Sequence, residues 1–235
     1  MQIEGRNPVL EALRARTPIE KVILEKNIKK DEKISEILEL AKKQNINVRF
    51  DKKYLLDKKS KTQTHQGVIA LGTQKEQQDF NTLITNKNAF LIYIRDALYE
   101  HNVGAIIRTA ECVGATGVIL PPKISVSPQI RRAAMGATEH ISITNHNLFQ
   151  AIKEAQEAGL QVVGIERTGS STNLYETKLD VPIMLIIGGE DRSLSTQITD
   201  KCDKVVEIPM EGNVNSLNMS VAAAVVMYEV RRQNN

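Results

Sequence analysis

Ile183-Met-Leu-Ile-Ile-Gly-Gly-Glu-Asp-Arg-Ser-Leu-Ser195 is the stretch whose reading decides the fold. Ile183 to Ile187 is a strand-sized apolar run with no polar face. Such a run suits a strand buried on both sides, as in a parallel sheet covered by helices. Gly188 and Gly189 then let another backbone or a ligand come close, and Glu190 sets a carboxylate at the strand end. Taken alone, this motif reads more readily as a plain strand-to-helix turn than as a site.

Working outward, strand signals recur at Phe90–Ile94, Gly117–Leu120, Val162–Ile165 and Val205–Ile208. Helical spacing recurs at Val103–Val113, Pro128–Ala137, Leu148–Ala158, Thr196–Lys201 and Ser216–Arg232. This alternation predicts an α/β fold with a parallel sheet. Ligands of such sheets sit beyond the carboxyl ends of the strands, which directs attention to the loops after Ile94, Ile187 and Ile208. Toward the N-terminus the alternation is shorter: helices over Asn7–Arg16 and Asp31–Gln44, with Asp31 as N-cap, and strands over Lys21–Leu24, Ile46–Phe50 and Val68–Leu71. That pattern reads as a separate small α/β domain.

The 235 residues carry a net charge of +3, but the charge is uneven. Residues 1–73 hold 16 Lys and Arg against 10 Asp and Glu, while residues 74–235 hold 15 against 18. A basic half joined to an acidic one points to a polyanion as partner of the first. Arg49 to Lys61 is the densest stretch, with six basic and two acidic residues. It suits a solvated helix face as well as phosphate contact. The polar run 72–88 has no strong apolar period and reads as a linker with room for a helical turn, so the expected division is 1–73, linker 74–87, and 88–235. No signal-peptide core and no run of membrane-spanning length is present, which predicts a cytoplasmic protein with no membrane partner. Cys112 and Cys202 form no metal or disulfide pattern, and no metal is expected. Aromatics are 4% of the chain, so a grip on any nucleic acid should lean on phosphates and shape rather than on stacking.

Two further loops carry candidate chemistry. In Glu100-His-Asn-Val-Gly-Ala-Ile-Ile-Arg108, Asn102 opens a helix and Arg108 sits in mostly apolar company. A half-buried charge needs a partner, so a structural salt bridge is as good a reading as a site. In Ile208-Pro-Met-Glu-Gly212 followed by Ser216-Leu-Asn218, polar groups precede an Ala/Val helix that lacks a polar face from Val221 to Met227. That helix should be buried on several sides, and a dimer interface would supply the burial. Ser216 and Asn218 serve equally as helix caps. Neither a GxGxxG nor a GxxxxGK[ST] motif is present.

Taken together, Asn102 to Arg108, Gly188-Gly-Glu190, and Ile208 to Gly212 with Ser216-Leu-Asn218 resemble the three motifs of the SpoU (TrmH) family of RNA ribose 2'-O-methyltransferases, in the family's order. Glu4 to Leu13 and His65 to Ala70 resemble the ribosomal-protein-like substrate-binding domain of one branch, which includes enzymes that modify a guanosine of 23S rRNA. The resemblance implies a C-terminal SPOUT domain with a trefoil knot, a homodimer formed through it, and S-adenosylmethionine (AdoMet) as methyl donor. It implies cofactor contacts at Gly188, Ile208, Met210, Gly212 and Leu217, and catalytic or substrate-handling roles for Asn102, Arg108, Glu190, Ser216 and Asn218.

The implied partner is structured RNA, with rRNA favoured over tRNA. A non-catalytic RNA-binding assembly factor of the same fold is the reading from another class. Because an Arg is not deprotonated in proteins, Arg108 is expected to bind phosphate and stabilise alkoxide charge, held by Asn102 and Asn218. The chain departs from the family where Tyr99-Glu100 replaces an Asp-Pro pair and where Ser193 replaces a Gly.

Overall fold

The computed structural model describes residues 1–73, 77–96, 98–189 and 193–235. The chain divides into two compact units, one of residues 1–76 and 126–140, the other of 77–125 and 141–235.

The first unit holds β1 (Gln2–Glu4), α1 (Arg6–Arg14), β2 (Ile19–Glu25), α2 (Glu32–Lys43), β3 (Asn47–Asp51), α3 (Lys53–Lys59) and β4 (Val68–Gly72). Its sheet runs β1-β4-β2-β3, with only the β2–β3 pair parallel. The period-two alternation of strands divides the core. Val22, Leu24, Val68 and Ala70 face α1 and α2, whose Val9, Leu10, Leu13, Ile34 and Ile37 recur at helical spacing. Ile23 and Ile69 point the other way, onto Leu56 of α3. Asp31 caps α2, its Oδ1 accepting the Ile34 N–H at 2.9 Å.

Residues 126–140 add α6 (Pro128–Ala133) and a short 3-10 turn, Ala137–Glu139, to this unit. The helix expected to reach Ala137 stops at Ala133 because Met135 (φ 56°) and Gly136 (φ 104°) are left-handed. A Cβ on Gly136 would lie 2.5 Å from Glu11 Cβ, so only glycine fits there. Arg131 and Glu139 form a buried ion pair at 2.7 Å. Glu139 also accepts the Thr17 hydroxyl at 2.7 Å, which ties this segment to the turn between α1 and β2.

The second unit holds α4 (Phe80–Ile84), β5 (Phe90–Ile94), α5 (Glu100–Cys112), β6 (Gly117–Leu120), β7 (Ser142–Asn145), α7 (Leu148–Glu157), β8 (Gln161–Ile165), β9 (Thr172–Asn173), β10 (Ile183–Ile187), α8 (Thr196–Thr199), β11 (Lys204–Glu207) and α9 (Met219–Gln233). Its seven-stranded sheet runs β7-β6-β5-β10-β8-β11-β9, and every pair is parallel. β10 lies mid-sheet between β5 and β8, which is why Ile183 to Ile187 are buried without alternation.

The polar run after β4 contains α4: Asp79 caps it, accepting the Thr82 N–H at 2.7 Å, and Phe80, Leu83 and Ile84 enter the core. α9 starts at Met219 rather than Ser216, with Asn218 as its cap. It packs on α5 through one face. Its opposite face leaves Val221 and Tyr228 48% and 55% exposed, so the expected burial on several sides is not supplied within one chain.

Candidate active site at the carboxyl ends of β8, β10 and β11

Parallel strands deliver their carboxyl ends to one edge of the sheet, and a cavity of about 390 Å³ opens there in the second unit. Ile165, Glu166 and Arg167 enter it from β8, Ile187 to Gly189 from β10, and Val206 to Ile208 from β11. Met210, Ser193 and the run Asn215 to Met219 complete the wall, with Ala222 of α9.

Local hydrogen bonds set this geometry. Glu166 Oε2 accepts the Leu194 N–H at 2.8 Å and its Oε1 accepts the Arg167 N–H at 3.0 Å, so one carboxylate holds two loops. Glu207 Oε2 accepts the Ser171 hydroxyl at 2.6 Å. Arg95, just past β5, donates to the Ser193 carbonyl at 3.2 Å. Gly189 is wedged against Asp96: a Cβ there would fall 2.7 Å from the Asp96 Cβ and Oδ2. A side chain at 189 therefore cannot be added without moving the loop.

Among the residues singled out from sequence, Gly188, Ile208, Met210, Ser216, Leu217 and Asn218 line the cavity. Gly212 does not; it is exposed, and a Cβ there would meet nothing within 4 Å. Asn102, in the first turn of α5, is joined to the cavity wall through Asn218, whose Nδ2 donates to Asn102 Oδ1 at 3.4 Å. Asn218 Oδ1 accepts the Ser220 N–H at 2.9 Å and the Ser220 hydroxyl at 2.6 Å, so the cap of α9 is also the link to α5.

Arg108 is exposed rather than half-buried, and makes no hydrogen bond or ion pair among the described residues. Helix geometry explains its separation from Asn102: six residues at about 100° each leave the two roughly 120° apart around the axis. The α5 residues that turn inward are Val103, Gly104, Ile106, Ile107 and Ala110. Arg108 thus faces away from the asparagine pair that was expected to hold it. Glu190 lies outside the described residues.

Sequence reasoning passed over Glu166 and Arg167. The strand-end rule that selected the other loops applies equally to β8, whose neighbour in the sheet is β10. Among the described residues no group of three or more His, Cys, Asp or Glu could hold a metal ion, and no helix is long and apolar enough to cross a membrane.

A parallel α/β unit with a strand-end cavity, preceded by a small mixed-sheet unit, defines the class. Residues 89–228 match the model of the SpoU rRNA Methylase family, and residues 2–78 match that of the RNA 2'-O ribose methyltransferase substrate-binding domain. A Staphylococcus aureus (strain COL) protein named as a TrmH-family tRNA/rRNA methyltransferase is 38% identical over 239 residues, covering 98% of this chain and 95% of its own. One of the same name from Staphylococcus haemolyticus is 37% identical, with the same coverage.

Solved structures share the fold. An AdoMet-bound rRNA methyltransferase from Sinorhizobium meliloti superposes with a TM-score of 0.80 at 22% identity, over 98% of this chain and 86% of that one. The A. aeolicus TrmH/SpoU tRNA modifying enzyme superposes with a TM-score of 0.56 at 28% identity, over 66% of this chain and 81% of that one. The chain belongs to the SpoU methylase family of RNA methyltransferases.

Proposed function

We propose that the protein transfers a methyl group from AdoMet to a ribose 2'-hydroxyl of RNA, with a guanosine of 23S rRNA as the favoured target. The observation that carries this reading is the cavity itself, because six of the motif residues converge on it. Its chemistry fits AdoMet. Ile187, Val206, Ile208 and Leu217 offer apolar surface for an adenine ring, and the backbone at Gly188 and Ile208 offers hydrogen-bonding groups beside it. The Glu166 and Glu207 carboxylates suit ribose hydroxyls and an ammonium group. When bound, AdoMet supplies an electrophilic methyl on a sulfonium.

The remaining tasks belong to the chain's own side chains. Asn218, fixed by Ser220 and joined to Asn102, sets the rim where a ribose would be oriented. Arg108, solvent-facing and without a partner among the described residues, is free to take an RNA phosphate and steady negative charge on the attacking oxygen. Glu190 and Ser216 help orient the incoming nucleotide. The C-terminal unit forms a homodimer and carries the family's knot. The face of α9 bearing Val221 and Tyr228 is the surface on which a second copy packs.

rRNA is favoured over tRNA because the N-terminal unit matches a substrate-binding model. The solved protein named as an rRNA methyltransferase aligns over 98% of this chain, whereas the tRNA-modifying A. aeolicus enzyme aligns over only 66%. The test is methyl transfer from labelled AdoMet to total rRNA and to total tRNA, with mass-spectrometric mapping of ribose methylation. A modified guanosine in 23S rRNA is expected. Modification of tRNA alone overturns the substrate assignment. Absence of both transfer and AdoMet binding overturns the enzyme reading.

A further inference from the structure

A second cavity, of about 710 Å³, lies wholly within the first unit. Its wall brings Arg6, Glu25, Lys53 and Asp57 together with the turn Gln63 to Gly67 and with Arg132 of α6. The turn is built rather than loose. Gln63, Gln66 and Gly67 all have positive φ, at 57°, 52° and 78°. Buried His65 holds it: its Nδ1 accepts the Gly67 N–H at 2.9 Å, so its proton sits on Nε2, which faces Asp57 Oδ1 at 2.8 Å. Arg6 donates to the Gln66 carbonyl at 3.3 Å and pairs with Asp31.

Three charges on the wall are left over. Lys53 and Glu25 have no side-chain hydrogen bond or ion pair among the described residues, and Arg132 has only a 3.5 Å contact from Nη1 to Met135 Sδ. The Arg132 guanidinium lies flat on Gly5, where an added Cβ would be 3.3 Å from its Cζ, and its buried Nε has no partner. The buried Arg132 Nε calls for a partner that the described residues do not supply, and charges of both signs share its cavity.

We propose that this cavity binds one unstacked nucleotide of the substrate RNA, with the phosphate on Lys53 and Arg132 and a base or ribose donor group on Glu25. A bare phosphate would meet both cations but also the unpaired Glu25 carboxylate. A nucleotide satisfies both signs, because its phosphate is anionic while its base and sugar carry N–H and O–H donors. The volume exceeds what one phosphate fills. This site rests on the RNA-methyltransferase reading and assigns it a specific RNA contact outside the methyl-transfer cavity, with which it shares no lining residue.

The experiment uses the full chain, a structured rRNA fragment, and K53Q, K53Q/R132Q and E25Q variants, with thermal melting to confirm folding. RNA affinity is measured across a salt series, and KM and kcat are measured with saturating AdoMet. Removing one phosphate contact should lower the slope of log affinity against log salt by about 0.7, and the double variant should bind about tenfold more weakly. KM should rise while kcat stays within about twofold of wild type. E25Q should also weaken RNA binding, although it removes a negative charge.

Lys53 is exposed and unpartnered, so K53Q keeps the test open even if R132Q disturbs α6. Unchanged slope and KM in folded K53Q/R132Q, beside an active wild type, would overturn the site and leave the methyltransferase reading standing. Tighter binding by E25Q would overturn the nucleotide assignment. A wild type that neither binds nor methylates RNA removes both.

Discussion

Glu139→Gln should destabilise the protein by about 3 kcal/mol, and the reason can be followed atom by atom. Glu139 and Arg131 keep only 3% and 6% of their side-chain surface exposed. Glu139 Oε1 accepts Arg131 Nη1 at 2.7 Å and Thr138 Oγ1 at 2.9 Å, and Oε2 accepts Thr17 Oγ1 at 2.7 Å. A Gln is nearly isosteric. Its carbonyl still accepts from Arg131 and Thr138, and its amide can donate to Thr17 once that hydroxyl turns round. What is lost is the counter-charge of a guanidinium that burial already pulls below the usual Arg range. Breaking a buried pair from one side costs about 3–5 kcal/mol, and the retained hydrogen bonds place this case near the lower limit.

The control is Arg131→Met with Glu139→Gln, which removes both charges and keeps the amide for the two threonines. It should recover to within about 1 kcal/mol of wild type, since neutral replacement of a buried pair is often tolerated. Urea denaturation followed by circular dichroism measures both. If the double variant is no more stable than Glu139→Gln, the uncompensated guanidinium is not the cause and the reasoning fails. Arg131 precedes Arg132, so under the nucleotide site proposed above, loosening α6 should also weaken RNA binding.

Gly189→Ala should abolish or strongly weaken AdoMet binding by calorimetry, because a Cβ there lies 2.7 Å from Asp96; overpacking of this kind costs about 1–3 kcal/mol. Wild-type affinity would show that the loop yields freely. Arg108→Ala should lose methyl transfer in the radiolabel assay while AdoMet affinity holds, since Arg108 does not line the cavity; undiminished turnover would remove it from the reaction.

Glu229 is held down to about 2 by Arg232, whose guanidinium donates to its carboxylate at 2.7 and 2.8 Å, helped by Gln233. A carboxyl depressed in the fold stabilises above its ordinary value of 4.5, and that stability is lost as pH falls toward 2. Glu229→Gln should therefore flatten the fall in stability between those values, and an unchanged pH profile in urea melts would refute the assignment.

The mid-sheet strands were legible because burial on both faces writes itself as an unbroken apolar run. Phe90–Ile94, Gly117–Leu120 and Ile183–Ile187 fall where that pattern puts them. Edge strands escape the rule. β7, Ser-Ile-Thr-Asn, and β9, Thr-Asn, are half solvated and owe their pairing to their neighbours β6 and β11. The polar run had room for a helical turn, but the docking of α4 was not legible, because three buried side chains, Phe80, Leu83 and Ile84, suffice to hold one turn and a half in the core. The grouping of 126–140 with the N-terminal unit was illegible for a different reason. It depends on Thr17 meeting Glu139 and Glu11 meeting His140 across more than a hundred residues of chain, and local pattern carries no such information.

The candidate site divides along the same line. Glycines and strand ends are easier to read: Gly188, Ile208 and Leu217 line the cavity, although Gly212 does not. Side-chain partnerships are harder. The Asn102–Asn218 contact was expected around the Arg108 guanidinium, but a helix cannot turn Arg108 and Asn102 to the same side. The scarcity of aromatics also has a different sense in three dimensions. Phe50 and Tyr54, among few aromatics, stand 49% and 61% exposed beside Lys52 and Lys53 in the first unit. A ring that costs solvent contact with no packing return is a candidate platform for an unpaired base. Tyr54 is next in sequence to the lysine that lines the first unit's cavity, so the proposed nucleotide site has an exposed ring and positive charge adjacent in the chain.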